Sequence, residues 1–121
     1  MIAVNRGTLA GRCILVLEDE PLIALEIVAC LREAGASVFS ARCLRDALPL
    51  ADHPDLTAAV LDFGLRDGDA GAVCERLSTR DIPFVLYSGY VHTHAACRKG
   101  THLRKPASRD ELLAALSHLI H

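Results

Sequence analysis

The strongest constraint on the fold of this chain is a regular alternation between two kinds of apolar pattern. Short runs that are dense in apolar side chains recur along the sequence, and longer stretches with helical spacing separate them. The densest runs are apolar at successive positions, so a strand built from them would be buried on both faces. That pattern is typical of a parallel sheet covered by helices on both sides. The runs are CILVL (13–17), SVFSA (37–41), LTAAVL (56–61), IPFVLY (82–87) and THL (101–103).

Start and stop signals frame the first and last helical patterns. Pro21 can occupy the first turn of a helix, and Gly35 can end that helix. Near the C-terminus, Ser108 and Glu111 form the sequence pattern of a capping box at the start of RDELLAALSHLI. We therefore expect one helix directly after the first strand and another at the end of the chain.

Three further helical patterns lie in the middle of the chain. Residues 44–51 predict a short helix, and residues 70–79 predict another with Val73 and Leu77 facing inward. Residues 91–99 are polar, so we expect the fourth helix to be short or mobile. The result is five βα units, and right-handed crossovers place their helices on both faces of one open parallel sheet.

Length, charge and cysteine content narrow the class of protein. The chain has 121 residues, the size of one domain, and its 51 % of hydrophobic residues can form a core. A net charge of −2 argues against a general nucleic-acid binder, and no apolar run approaches the roughly 20 residues of a membrane span. Five cysteines without a CxxC pair predict buried thiols in a reducing compartment, the cytoplasm. We interpret residues 1–11 as an N-terminal tail and residues 12–121 as the domain.

Polar side chains stand where the predicted strands end. In open parallel sheets, functional residues lie beyond the carboxyl ends of the strands, so these side chains are expected to meet. Adjacent carboxylates repel each other, and their gathering at one edge predicts a positively charged partner. The residues are Glu18 and Asp19 after the first strand, Asp62 after the third, Ser88 at the end of the fourth and Lys105 after the fifth.

The candidate ligands at this edge are all oxygens. Mg²⁺ is typically held by one or two carboxylates, water and phosphate, whereas zinc prefers His or Cys. With a phosphate-type ligand held by Mg²⁺, Lys105 and Ser88, Asp62 would attack phosphorus and form an aspartyl phosphate. We expect the ammonium of Lys105 at the rim of the site, where its removal would leave the fold intact.

In this order, the motifs resemble the receiver domain of response regulators in bacterial two-component signalling. The resemblance covers about residues 12–121 and is carried by VLEDEP, VLDFGLRDGDAG, YSG and LRKP. It implies a flavodoxin-like (βα)5 fold whose five-stranded parallel sheet has the strand order 2-1-3-4-5. The stretch PFVLYSGY (83–90) further resembles the single-domain regulators nicknamed FAT GUY, although Leu86 and Tyr87 replace their usual Phe and Ala.

The resemblance also implies roles for the residues at the strand ends. Asp62 would accept the phosphoryl group from the phosphohistidine of a histidine kinase, and Ser88 and Lys105 would hold that group. The implied partners are a sensor kinase or phosphotransfer protein and a downstream protein, with no direct contact to nucleic acid or membrane. The implied Mg²⁺ ligands are Asp19, Asp62, Glu18 through water, and the carbonyl of Gly64.

Three departures from the family pattern concern the conformational switch. His102 stands three residues before Lys105, where the family usually has Tyr or Phe, and Arg66 stands where the loop often has Pro. The interval between Ser88 and Lys105 is also shorter than usual. We therefore predict that His102 takes the place of the switch aromatic, with Tyr90 as the second candidate.

Other functions stay open at this point. The same fold could serve as a phosphorylation-independent interaction module, or the chain could be the receiver portion of a hybrid kinase. A small phosphoester hydrolase that works through an aspartyl phosphate is disfavoured, because the DxD-type nucleophile motif is missing. We expect no enzyme activity beyond Mg²⁺-dependent self-phosphorylation and autodephosphorylation.

Overall fold

The protein is described by a computed structural model that covers residues 7–89 and 95–120. A five-stranded sheet lies at its centre, and every neighbouring pair of strands in it is parallel. The strand order is β2-β1-β3-β4-β5, which confirms the predicted order and fold class. The strands are β1 (Cys13–Leu17), β2 (Ser37–Ala41), β3 (Ala58–Leu61), β4 (Phe84–Ser88) and β5 (Thr101–Arg104).

Helices connect these strands close to the predicted positions. They are α1 (Pro21–Glu33), α2 (Leu44–Ala51), α3 (Gly71–Thr79) and α4 (Arg109–Ile120), together with a short 3-10 helix (Ala95–Lys99). The 3-10 helix stands where the short fourth helix was predicted, and the first residues of that prediction lie outside the described residues. Within the described ranges, no helix has the length and apolar character needed to cross a membrane.

The predicted end signals work as helix caps. Gly35 follows α1 with a φ of +101°, a left-handed conformation that favours glycine, and its amide donates to the carbonyl of Arg32 at 2.9 Å. At α4, the amide of Glu111 donates to the Ser108 hydroxyl at 3.1 Å. The Ser108 amide donates in return to the Glu111 carboxylate at 2.9 Å, so the capping box is complete.

The sheet separates two apolar clusters, which explains the dense apolar runs. In β1, Leu15 and Leu17 pack with residues of α2, α3 and the 3-10 helix, while Ile14 and Val16 pack with residues of α1 and α4. All four side chains are fully buried. Because successive side chains of a strand point to opposite faces, a strand covered on both sides has no solvent-facing position to fill with a polar residue.

Residues before the predicted domain boundary also contact the core. Leu9 is fully buried in the cluster that contains α1 and α4, and its amide donates to the carbonyl of Ala34 at 2.9 Å. Ala10 lies against Gly35, where an added Cβ would be 3.1 Å from the Ala10 Cα. The segment just before β1 thus packs onto the end of α1.

Candidate functional site

The acidic residues predicted from the strand ends meet at one edge of the sheet. β1 and β3 are neighbours with Leu17 opposite Leu61, and the Asp62 amide donates to the Leu17 carbonyl at 2.8 Å. Residues that follow the two strands therefore begin side by side. One carboxylate oxygen from each of Glu18, Asp19 and Asp62 lies within 4.8 Å of the other two.

Glu18 is the most deeply buried of the three acids, with 1 % of its surface exposed. Its two carboxylate oxygens accept separate hydrogen bonds, one from the Glu20 amide at 3.1 Å and one from Lys105 Nζ at 2.8 Å. A buried carboxylate without partners is strongly unfavourable. These two donors make the burial of Glu18 compatible with a stable fold.

Lys105 crosses the site rather than standing at its rim, which corrects the expectation from the sequence. Its amide donates to the Ser88 carbonyl at 2.9 Å, so the backbone pairing of β4 and β5 carries it to the same edge. The Lys105 side chain is only 19 % exposed, and its Nζ lies 2.8 Å from Glu18 Oε1 and 3.5 Å from Asp62 Oδ2. Its ammonium thus bridges the buried Glu18 and the partly buried Asp62.

The pKa of Lys105 reflects this position. Burial lowers it, but the hydrogen bond to Glu18 and the charges of Asp62 and Glu18 outweigh burial, so the net shift is upward. Lys105 therefore stays charged at neutral pH and is a permanent positive group beside Asp62.

For Asp62, in contrast, burial and neighbouring negative charge outweigh the attraction of Lys105. Burial and the nearby charge of Glu18 raise its pKa to about 7, and the attraction of Lys105 only partly offsets them. A hydrogen bond with Glu18 and the charge of Asp19 raise the pKa further. Without a cation, the Asp62 carboxyl group therefore keeps its proton to a much higher pH than an ordinary aspartate does.

The donor set fits a divalent oxygen-binding cation. Three carboxylates and one ammonium carry a formal charge of −3 + 1 = −2 when all are ionised, which one divalent ion would neutralise. All three side chains offer oxygen, the ligand type of Mg²⁺ and Ca²⁺, and none offers the nitrogen or sulfur that zinc prefers. Glu18, Asp19 and Asp62 are therefore able to hold such an ion.

Two other predicted site residues lie near the same edge. Ser88 ends β4 beside Arg104 of β5 and is only 4 % exposed. Gly64 lies two residues after Asp62 and is half-buried in a small hairpin. Their contacts with a phosphoryl group and a metal stay predictions.

Of the two predicted switch residues, the structure describes His102 but not Tyr90. His102 lies on β5 opposite Leu86, with an exposed side chain, on the strand that leads to Lys105. Tyr90 lies outside the described residues. The role of His102 stays a prediction.

Sequence reasoning missed the hairpin that follows Asp62. Gly64–Leu65 pairs antiparallel with Gly68–Asp69, and Arg66 and Asp67 form the turn between them. The Asp67–Gly68 dipeptide is a typical turn signal and could have indicated that the chain reverses here. We call this element the 64–69 hairpin.

The chain is similar in sequence to a known regulatory protein. No protein family model matches the chain. It is 34 % identical over 120 residues to the transcriptional regulatory protein TcrA of Mycobacterium tuberculosis, a match that covers 93 % of this chain and 47 % of TcrA. The chain thus spans about half the length of the curated relative it matches.

Solved structures share the fold closely. The non-phosphorylated receiver domain of HemR from Leptospira biflexa matches with a TM-score of 0.80 and 22 % identity, over 90 % of this chain and 94 % of that one. The response regulator TrrA of Thermotoga maritima, in complex with Mg²⁺-BeF, matches with a TM-score of 0.79 and 22 % identity, over 89 % and 98 %. The chain thus has the fold of CheY-like response regulator receiver domains, and its similarity to TcrA and its acidic edge agree with that class.

Proposed function

We propose that this receiver domain accepts a phosphoryl group on Asp62 from the phosphohistidine of a sensor histidine kinase or phosphotransfer protein. The observation that carries the proposal is the placement of the Asp62 carboxyl group. It lies within 4.8 Å of oxygens of Glu18 and Asp19, and 3.5 Å from the Lys105 ammonium. That arrangement supplies a nucleophile, oxygen ligands for a cation and a positive group for phosphoryl oxygens.

In the proposed reaction, an ionised Asp62 oxygen attacks phosphorus as the phosphorus–nitrogen bond of the donor breaks. The electron pair of that bond goes to the imidazole nitrogen, and an acyl phosphate forms on Asp62. Bound Mg²⁺ supplies neutralising charge for the phosphoryl oxygens and the acids. Lys105 and Ser88 bind phosphoryl oxygens, and attack by water later releases phosphate and regenerates the carboxylate.

The protonation of Asp62 bears directly on this chemistry. Only the ionised carboxylate is a nucleophile, and the raised pKa of Asp62 disfavours that form at neutral pH when no cation is bound. A cation held by Glu18, Asp19 and Asp62 favours the ionised form. Its binding therefore prepares the acceptor as well as the phosphoryl site.

Signalling follows from a surface change rather than from turnover of a separate substrate. We propose that phosphorylation draws Ser88 towards a phosphoryl oxygen and that His102 responds on the adjacent strand, with Tyr90 as the second candidate. A downstream protein then binds the changed surface, without direct contact to nucleic acid. We place this exchange in the cytoplasm, and the resemblance to the single-domain FAT GUY regulators stays a prediction.

The test is covalent labelling with a small phosphodonor. The protein is incubated with acetyl phosphate and Mg²⁺, and its intact mass is measured. We expect a gain of one phosphoryl group, abolished in Asp62→Asn and retained in Asp46→Asn, which changes an exposed aspartate on α2. Labelling that persists in Asp62→Asn would identify another acceptor. An unlabelled wild type at saturating Mg²⁺ would favour the phosphorylation-independent interaction module.

A further inference from the structure

The loop that follows Asp62 is folded back on itself rather than extended. In the 64–69 hairpin, Gly64 pairs with Asp69 and Leu65 with Gly68. Just outside these pairs, the Ala70 amide donates to the Phe63 carbonyl at 2.8 Å. Gly64, the predicted carbonyl ligand, thus has its position fixed by the hairpin.

The tip of this hairpin supplies the cap of a distant helix. The Asp67 carboxylate accepts hydrogen bonds from the first two amides of α2, from Leu44 to Oδ1 at 2.9 Å and from Arg45 to Oδ2 at 3.1 Å. Within the described residues, the side chain of the N-cap residue Cys43 makes no cap hydrogen bond. Free amides at a helix start need an acceptor and favour negative charge. Asp67 provides both from 23 residues away along the chain.

A second contact joins the hairpin to the same helix. Gly68 has a φ of +140°, and a Cβ added there would lie 2.9 Å from Leu44 Cδ1. The hairpin tip and the first residue of α2 are therefore in direct contact. At its other end, the hairpin is held by Asp69, whose Oδ1 accepts the Gly71 amide at 2.9 Å as α3 begins.

We propose that Asp67 is a positioning residue for the metal site, because its two hydrogen bonds to α2 hold the 64–69 hairpin where the Gly64 carbonyl can serve as a ligand beside Asp62. This inference rests on the proposed function. Asp67 touches neither metal nor phosphate and acts through the hairpin backbone. Without it, the hairpin is tied to α3 but no longer to α2, and the backbone of Gly64 is less firmly held.

The first test measures Mg²⁺ binding directly. Mg²⁺ is titrated into ¹⁵N-labelled wild type and Asp67→Ala, and the amide shifts of Asp19 and Gly64 are followed. Loss of a group that orients a ligand typically weakens metal binding about 10–100-fold, and with one of several ligands affected we expect about tenfold. Asp67→Asn keeps one oxygen acceptor and should fall between the two, at about threefold.

Asp46→Ala is the matched control. It removes an exposed carboxylate from the first turn of α2 but leaves both hydrogen bonds of Asp67 in place. We expect it to bind Mg²⁺ like the wild type. In metal-free protein, the amides of Leu44 and Arg45 should exchange with solvent faster in Asp67→Ala than in Asp46→Ala. The difference directly measures the loss of their two hydrogen bonds to Asp67.

The kinetic test separates positioning from general destabilisation. The acetyl phosphate labelling rate is measured against Mg²⁺ concentration. We expect Asp67→Ala to need about ten times more Mg²⁺ for its half-maximal rate, with a saturating rate close to that of the wild type. A purely structural role would leave the half-saturating Mg²⁺ concentration unchanged, and that result overturns the proposal.

Failure of this inference is distinguishable from failure of the proposed function. If the wild type binds Mg²⁺ and is labelled, but Asp67→Ala has the same half-saturation, only the positioning role of Asp67 is wrong. If the wild type is never labelled, the proposed function fails, while the Mg²⁺ titration still tests Asp67. A wild type that binds no Mg²⁺ overturns both. If Asp67→Ala does not fold, Asp67→Asn takes its place in every comparison.

Discussion

Asp62 and Asp67 lie five residues apart in one loop, yet their surroundings affect them in opposite ways. Burial and the charge of Glu18 raise the pKa of Asp62 to about 7. The pKa of Asp67 is lowered, first by the hydrogen bonds from the amides of Leu44 and Arg45. The ionised form of Asp62 is thus disfavoured by its surroundings, whereas the ionised form of Asp67 is stabilised by two hydrogen bonds.

This difference in pKa distinguishes the acidic site around Asp62 from the hairpin that holds Asp67 against α2. Asp67 faces fixed amide dipoles at a helix start, so its charge is satisfied by the fold alone. Asp62 shares one ammonium with the fully buried Glu18, so its charge is satisfied only when a further cation binds. Each side of this comparison can be disrupted by substitution, by pH or by a cation, and the largest effect is expected at Lys105.

Removal of Lys105 should have the largest effect on stability. Lys105→Ala leaves Glu18 buried without its 2.8 Å partner, and breaking a buried ion pair typically lowers the free energy of unfolding by about 3–5 kcal/mol. Urea unfolding in chelator at neutral pH measures the loss. The double variant Glu18→Gln, Lys105→Ala should recover part of it, because no unpaired charge remains. Equal losses in both variants would show that the ion pair is not the cause.

Mg²⁺ should stabilise the wild type by a somewhat smaller amount. A ligand that binds only the folded state at about 100 times its Kd raises the free energy of unfolding by about 2.7 kcal/mol. Thermal unfolding with and without millimolar Mg²⁺ measures this as a rise in Tm. The rise should be lost in Asp19→Asn and kept in Asp46→Asn. A wild type indifferent to Mg²⁺, with unmoved amide shifts at Asp19, would exclude the site.

The metal-free protein should lose stability as pH rises from about 4 to about 7. The folded-state pKa of Asp62, about 7, lies above its ordinary value of 3.8, so the folded state binds more protons than the unfolded state in this window. After a discount for screening and for the interaction with Glu18, we expect about 1–2 kcal/mol. Urea unfolding across this range in chelator measures the slope.

Asp62→Asn provides the control for that slope, because it removes the titrating group and should flatten it. For Asp67 we expect the opposite dependence of stability on pH. Its pKa is lowered, so its contribution is present above the ordinary value and is lost as pH falls below it. A slope of unchanged size in Asp62→Asn would assign the titration to another group.

His102→Ala should have the smallest effect on the acceptor and a visible effect only at a distance. His102 is exposed on β5, so its removal leaves Asp62 labelling near normal. Imidazole is smaller and more polar than a phenol ring, so we expect modest coupling, about 1–3 kcal/mol. Phosphate-induced NMR shifts on α4 should shrink in the variant. Full retention of those shifts would move the switch elsewhere, with Tyr90 the next candidate to test.

Local signals in the sequence predicted most of the fold. The bounds of β1, β2 and α2 agree with the predicted segments, and the Ser108–Glu111 capping box forms as its spacing indicates. These features depend on periodicity and on neighbours a few residues away, which are readable along the chain. The gathering of Glu18, Asp19 and Asp62 followed from one topological rule about strand ends.

The sequence by itself therefore determined the alternating elements and the edge at which the acids meet, while the strand order was predicted through the family resemblance. Only the tertiary structure decided which charges pair there. Lys105 and Glu18 are 87 residues apart, and Asp67 and Leu44 are 23 apart. No periodicity links such positions, because their contact depends on how the strands and helices pack in three dimensions. The same packing that buries Lys105 beside two acids leaves Asp67 fully paired and Asp62 in need of a cation.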